Sequence, residues 1–360
     1  MRTIFSSDIF ERQRYGGISR YFVELAKKFS EMNLCEFQFA TLIHVNSHLK
    51  DANLSKSLYL PFSPSRVRME KVIGNANSCY SQLLTSRKTF QIRHETFYRN
   101  GVLNLDASRT VTTIYDLIRE RENKDFIGKV EKTESINRAD AIIAISQTTA
   151  KDIHQFYRVD PSIVRVIHLG VDEIFFEEAG RDGTPMRRSE LIYVGERAGY
   201  KDFSTLIRAF AISIFLQKNF KVRVVGSPFT REELTLMCEL KVQDSFVSHM
   251  ANDLQLAELY RASVGLVVTS TYEGFGLPIL ESMASRCPVI STGGGSLKEI
   301  GGDHYIPFNA GDPESLALSI ERATSLVFNT EFLTQAYQHA QQFSWSKTAK
   351  QTATLYQEVE

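Results

Sequence analysis

The run Glu273-Gly-Phe-Gly-Leu-Pro-Ile-Leu-Glu281 constrains this chain more than any other segment. It sets two acids eight positions apart around a glycine-flanked aromatic and a proline. The apolar stretch Leu266-Val-Val-Thr-Ser-Thr271 comes just before it, and Ser282-Met-Ala-Ser-Arg-Cys-Pro-Val-Ile290 just after. The pattern predicts a strand, a tight turn, a helix, and a second strand opening at Val289. Glycine suits a turn that brings backbone close to a bound group, because no side chain stands in the way. The helix that follows offers unpaired N–H groups that attract a phosphate. Acids at the rim of such a pocket accept hydrogen bonds from neutral hydroxyls. A sugar nucleotide suits that set, with its diphosphate on the amides and its sugar and ribose hydroxyls on the carboxylates.

At 360 residues the chain is long for one core and comfortable for two. Short apolar runs alternate with helical patterns, which predicts an α/β chain with parallel sheets. Strands are expected at 3–6, 37–43, 110–115, 139–146 and 164–169. Tyr21, Leu25 and Phe29, four apart, mark a helix behind Gly16-Gly17, and residues 147–156 another. Residues 175–190 are polar, with glycine, proline and charge, and are the best linker. Beyond them strands are expected at 191–195, 221–226, 264–269 and from 288. Helices are expected at 203–215, 253–261, 313–328 and 331–343, before a helix-permissive tail. The expected division is residues 1–174, the linker 175–190, a second domain 191–343 and a terminal segment 344–360. Two successive α/β units imply a cleft between them, where such folds take ligands.

Several function classes fall away. Lysine plus arginine equals aspartate plus glutamate, 42 each, so no strong field favours nucleic acid. Cys35, Cys79, Cys238 and Cys287 are scattered with no CxxC pair, as in free thiols of a reducing cytosol. No apolar window is long enough to span a membrane. The histidines are mostly isolated; His44 and His48 have helical ligand spacing but no HExxH around them. No Asp-x-Asp pair occurs, so no metal site is expected, and phosphate charge falls to Arg197, Lys201 and helix N-termini. Residues 58–98 mix aromatics such as Tyr59, Phe62, Phe90 and Tyr98 with Arg66, Lys71, Arg87 and Lys88. That mixture can rest on an anionic bilayer, or equally form helices whose aromatics face the core.

Three further places carry chemistry. Gly16-Gly17 can open an amide nest for phosphate, or simply turn the chain. It is not GxGxxG, and no P-loop exists, so dehydrogenase and P-loop chemistry are disfavoured. Arg197 and Lys201 follow the first strand of the second half; an arginine fork and a lysine point charge there can hold phosphate, or form a solvated basic loop. Asp116 closes a strand after Tyr115, placed either to bind a hydroxyl or to cap the next segment.

Together these segments resemble the retaining, GT-B-fold glycosyltransferases of family 4, especially bacterial members that build O-antigen, capsule or exopolysaccharide. Gly16-Gly-Ile-Ser-Arg-Tyr21 resembles the loop against the donor phosphates, and Tyr193-Val-Gly-Glu-Arg-Ala-Gly-Tyr-Lys-Asp-Phe203 the segment with the phosphate-binding Arg and Lys. Residues 254–263 and 270–284 resemble the family signature itself. Phe343-Ser-Trp-Ser-Lys-Thr-Ala349 resembles the start of a last helix that crosses back to the N-terminal domain. The resemblance implies two Rossmann-like domains facing across a cleft, acceptor on the first and nucleotide sugar on the second. It implies Glu273 on hydroxyls of the transferred sugar, Glu281 on the ribose diol, and Phe275, Gly276 and Leu277 as backbone near sugar and diphosphate. Arg197 and Lys201 would bind the diphosphate, and Asp116 would face sugar or acceptor. Three departures stand out: Tyr115-Asp116 where many relatives have His-Asp, Arg286-Cys287 where a small neutral pair precedes the proline, and the glycine-rich Ser291–Ser296 run, expected to loosen the base site.

The implied reaction moves a sugar from a nucleoside diphosphate (UDP or GDP type) to an alcohol with the α configuration kept, by same-face substitution and without an enzymic nucleophile. The implied acceptor is a growing glycan on an undecaprenyl diphosphate carrier, and the implied setting the cytoplasm, at or near the inner face of the membrane. The alternatives are a GT-B epimerase or inverting transferase, and a noncatalytic nucleotide-sugar or glycan-binding protein.

Overall fold

The structure, a computed structural model, describes residues 1–61, 67–99, 107–122, 125–126, 128–176 and 189–360. The chain forms two compact units. One joins Met1–Gly170 to Trp345–Glu360, and the other is Val171–Ser344. Most of the expected linker, residues 177–188, lies outside the described residues, as do Phe62 and Arg66 of the basic-aromatic stretch.

The first unit is built on a six-stranded parallel sheet in the order Glu36–Phe39, Arg2–Phe5, Phe90–Glu95, Ala107–Ile114, Ala141–Ala144, Val164–Val166. Ala141–Ala144 is buried along its whole length, as a strand covered on both faces must be. The helix Gly17–Glu31 turns Tyr21, Phe22, Leu25 and Phe29 into the core. The final helix, Trp345–Val359, packs on it, burying Trp345, Thr348, Ala349, Thr352 and Tyr356. Its anchors are long-range: the Thr348 hydroxyl donates to the His168 carbonyl at 2.7 Å, and the Tyr356 ring meets Phe29 edge-on at 5.9 Å.

One central strand, Phe90–Glu95, is not marked by apolar alternation, since it carries Gln91, Arg93, His94 and Glu95. Its polar groups find partners on neighbouring elements. His94 bridges the Tyr356 hydroxyl at 2.5 Å and the Thr113 hydroxyl at 2.8 Å. Glu95 accepts two hydrogen bonds from Arg138, and Arg93 donates to Thr110. Paired in this way, they can be buried. Of the basic-aromatic stretch, Phe90, Arg93 and Tyr98 are buried, while Lys71, Val72, Leu83, Arg87 and Lys88 are exposed on and beside the helix Val67–Arg87.

The second unit has its own six-stranded sheet, ordered Phe246–His249, Lys221–Val225, Glu190–Val194, Gly265–Val268, Val289–Ser291, Ile306–Pro307, again parallel. The helices Phe203–Ile212 and Pro313–Leu326 share one core with it, through Phe203, Leu206, Phe210, Leu316 and Ile320. The helix expected over 203–215 stops at Ile212, because Ser213 breaks it and caps a second helix, Ile214–Asn219. Both units are Rossmann-like, and with the last helix returning to the first they make a GT-B fold. Among the described residues, no helix is long and apolar enough to cross a membrane.

Candidate active site

In the second sheet the strand order reverses between Glu190–Val194 and Gly265–Val268. At such a switch point the loops leaving the carboxyl ends part in opposite directions, and ligands bind in the opening. The loop leaving the first strand carries Arg197 and Lys201, and that leaving the second carries Glu273. Two hydrogen bonds stitch them together. The Thr269 hydroxyl donates to the Lys201 carbonyl at 2.6 Å, and the Thr271 N–H to the Tyr200 carbonyl at 2.8 Å. The side chains meet directly, with Lys201 Nζ 2.5 Å from Glu273 Oε1. Lys201 is 22% exposed and Glu273 13%, so the pair is shielded yet reachable from solvent.

Arg197 is placed differently. Its side chain is 5% exposed, and the guanidinium is turned towards the neighbouring loop. Nε donates to Glu233 at 2.7 Å, Nη1 to the Ser227 carbonyl at 2.9 Å and Nη2 to the Pro228 carbonyl at 2.8 Å. Its central carbon lies 5.9 Å and 5.4 Å from the rings of Phe203 and Phe229. The fork anticipated for phosphate thus holds protein acceptors, and Lys201 is the cation of this segment that faces the acidic loop.

The turn after Glu273 folds as its glycines suggest. Gly276 takes the left-handed conformation at φ 107° and precedes the helix Leu277–Ala284, whose first turn holds Pro278. A Cβ on Gly276 would lie 2.7 Å from Leu297 Cδ2, which would have to move, and at this positive φ any side chain would be strained. Phe275 is buried against the edge of Phe343. Glu281, one helical turn on, is 6% exposed, and the Tyr260 hydroxyl donates to its Oε2 at 3.2 Å.

The glycine-rich run at 293–295 supports this turn closely. A Cβ on Gly294 would fall 2.1 Å from the Thr271 carbonyl oxygen, and one on Gly295 2.5 Å from that of Glu273. Ser296 then donates to the Glu273 carbonyl from both N–H and hydroxyl, at 3.0 and 2.9 Å, and its hydroxyl also reaches the Phe275 carbonyl. These glycines let the loop be packed backbone to backbone. Ser296 was not among the expected site residues; its only signal was its place after three glycines.

Gly16, Gly17 and Asp116 belong to the first unit. A short helix, Asp8–Arg12, intervenes between the first strand and the glycines, and Gly16 stands at the N-cap of Gly17–Glu31. The Gln13 carboxamide accepts from the Ser19 N–H at 3.1 Å, occupying one of that helix's free donors. Asp116 follows the strand Ala107–Ile114 and accepts from the Ile118 N–H at 3.2 Å, two residues on, as in an Asx-turn, while the N-cap of the short helix Ile118–Arg121 is Leu117. Its carbonyl accepts from Lys132 at 3.1 Å, and Lys132 pairs with Glu120 at 2.9 Å. Tyr115 is buried against Tyr21, and burial pushes its phenol well above the ordinary value. Among the described residues, no group of His, Cys, Asp and Glu could hold a metal.

Comparison with known proteins gives the family and the fold. The model of glycosyltransferase family 4 matches residues 15–174, and that of glycosyl transferases group 1 matches residues 175–342. An O-antigen chain mannosyltransferase B from Escherichia coli is 24% identical over 94% of this chain and 95% of its own length. A D-inositol 3-phosphate glycosyltransferase from Thermobispora bispora is 29% identical, over 62% of this chain and little more than half, 57%, of its own. The Anabaena protein HepE, crystallised with UDP and glucose, superposes with a TM-score of 0.77 at 15% identity, covering 99% of this chain and all of that one. WaaG, a glycosyltransferase of lipopolysaccharide biosynthesis, superposes at 0.71 and 15% identity, covering 98% of both chains.

Proposed function

This chain is a glycosyltransferase of GT-B fold, related to the family 4 sugar transferases, and from that premise we propose that it transfers a hexosyl group with retention, forming an α-glycosidic bond on a lipid-linked or growing polysaccharide acceptor. Glycosyl transfer from a nucleotide sugar follows from the family. The observation that carries the reading of the donor site is the Lys201–Glu273 pair at the switch point of the second sheet, while retention and the glycan acceptor are carried over from the resemblance and the named relatives.

In the proposed reaction the bond from the anomeric carbon to the diphosphate oxygen breaks on the same face on which the bond to the acceptor oxygen forms. The acceptor's proton passes to the leaving diphosphate, so no enzymic base or nucleophile is required. Lys201 neutralises charge growing on that diphosphate, and the amides around Gly276 and Leu277 face it. Glu273 takes sugar hydroxyls and holds Lys201 in place, Phe275 lines the sugar, and Glu281 takes the ribose diol. Gly16, Gly17 and Asp116 serve donor phosphate and acceptor from the first unit. No metal is required. Mannose is the first sugar to try, because the Escherichia coli relative that this chain spans almost entirely is named a mannosyltransferase.

Peripheral contact with the inner face of the membrane is supported by exposed Val72 and Leu83 beside Lys71, Arg87 and Lys88. The deciding experiment pairs a thermal-shift screen against UDP, GDP, dTDP and ADP with NMR of the product formed from the matching sugar nucleotide. An α linkage is expected. A β linkage, or no stabilisation by any of the four, sinks the reading.

A further inference from the structure

We infer that Arg197 is a positioning residue for glycosyl transfer: it fixes the loop that presents Lys201 and does not itself touch the diphosphate. The inference rests on the donor reading given above. It starts from how the guanidinium is held. Each of its three nitrogens donates one hydrogen bond to the protein, at 2.7, 2.9 and 2.8 Å, which engages three of its five N–H groups. Its central carbon also lies over the rings of Phe203 and Phe229, which stack on each other at 6.3 Å and 15°. A group held through three bonds and packed beside two rings has little freedom to swing to a ligand.

The partners show what is fixed. Ser227 and Pro228 lie in the loop that leaves the strand Lys221–Val225, next to the switch-point strand Glu190–Val194. Glu233 gives Oε1 to Arg197 and Oε2 to the Thr230 N–H at 2.7 Å, completing the capping box of the helix Arg231–Glu239. Gly226 makes room for this: a Cβ there would stand 2.9 Å from the Gly195 carbonyl oxygen and 3.6 Å from Arg197 Nη1. Arg197 therefore clamps its own segment to the neighbouring loop and helix cap. Thr269 and Thr271 clamp the far end of the same segment, at Tyr200 and Lys201. Between the two clamps the short turn Gly199–Lys201 is held from both sides, and Lys201 is aimed at Glu273.

A direct phosphate ligand and a clamp respond differently to substitution. A ligand works partly as charge, so lysine retains much of it, and its loss reduces the salt dependence of binding. A clamp needs the fork, so lysine fails as methionine does; salt dependence stays that of the wild type, and damage to Glu233 has the same effect. The test is calorimetry of the full chain with UDP, GDP, dTDP and ADP across a range of salt, on Arg197→Lys, Arg197→Met and Glu233→Gln, with thermal melts alongside. The expected result is that Arg197→Lys and Glu233→Gln each weaken the nucleotide that binds by about tenfold, as loss of an orienting partner does, at unchanged salt dependence. Lys201→Ala alone should flatten it. If the Arg197 variants fail to fold, Glu233→Gln decides the matter. Wild-type affinity in Glu233→Gln, or flattened salt dependence in Arg197→Met, overturns the inference and leaves the donor reading standing. A wild type that binds none of the four overturns both.

Discussion

At the scale of single residues, the proposed function divides the site into groups that meet a ligand and groups that hold others in place. It puts Lys201 among the first, because Lys201 is partly exposed and its partner is an acid on the opposite loop. Lys201→Ala is expected to lower turnover about a hundredfold while the melting temperature changes little. A rate equal to wild type at saturating donor would remove Lys201 from the mechanism. Glu281 is nearly buried and accepts from Tyr260. Glu281→Gln keeps the shape but weakens the acceptor pair for a ribose diol, so nucleotide affinity should fall about tenfold, near 1.4 kcal/mol. Calorimetry checks this, and the effect should shrink for a nucleotide lacking the 2′-hydroxyl. Arg197 shows what pattern alone does not reveal. Its type and its place after a strand both suggested phosphate, but its direction is set by Glu233 and two carbonyls thirty residues away.

At the scale of elements, the strand–turn–helix around Glu273–Glu281 was legible because each step has a local cause: apolar strand, glycine corner, proline in the first turn. The strand Phe90–Glu95 was not legible. Its polar side chains are tolerated through partners such as Tyr356, Thr113, Arg138 and Thr110, which are distant in sequence. The short edge strand Phe246–His249 and the helix Arg231–Glu239 were likewise unread, because neither carries a long periodic apolar face. The glycine-rich run was visible as composition, but the backbone it approaches was not. Gly294→Ala would drive a methyl into the Thr271 carbonyl, which cannot step aside as a flexible side chain could. The expected cost is about 1–3 kcal/mol, with weakened nucleotide binding because the Glu273 loop shifts. Unchanged melting and unchanged affinity together would show that the loop yields freely.

At the scale of the whole molecule, stability should depend on pH through buried histidine. Burial pushes His94 down to about 3 and His44 down to about 4, from ordinary values near 6.5. Below about 6.5 the unfolded chain takes up these protons while the folded chain does not, so protonation favours unfolding. Stability is therefore full above that range and falls as pH drops towards the folded-state values. Denaturant titrations at pH 7 and pH 5 should show this loss, and His94→Gln should reduce it. An identical pH slope in the variant would assign the effect to other groups.

The bridge from His94 to Tyr356 also bears on how the protein is made. The core of the first unit includes Trp345 and Tyr356 from the far end of the chain. During synthesis, the first hundred and seventy residues therefore leave the ribosome with an apolar seam uncovered, and they wait while the entire second unit is translated. The unit that begins first is completed last, and a chaperone that shields nascent chains would have its longest engagement there.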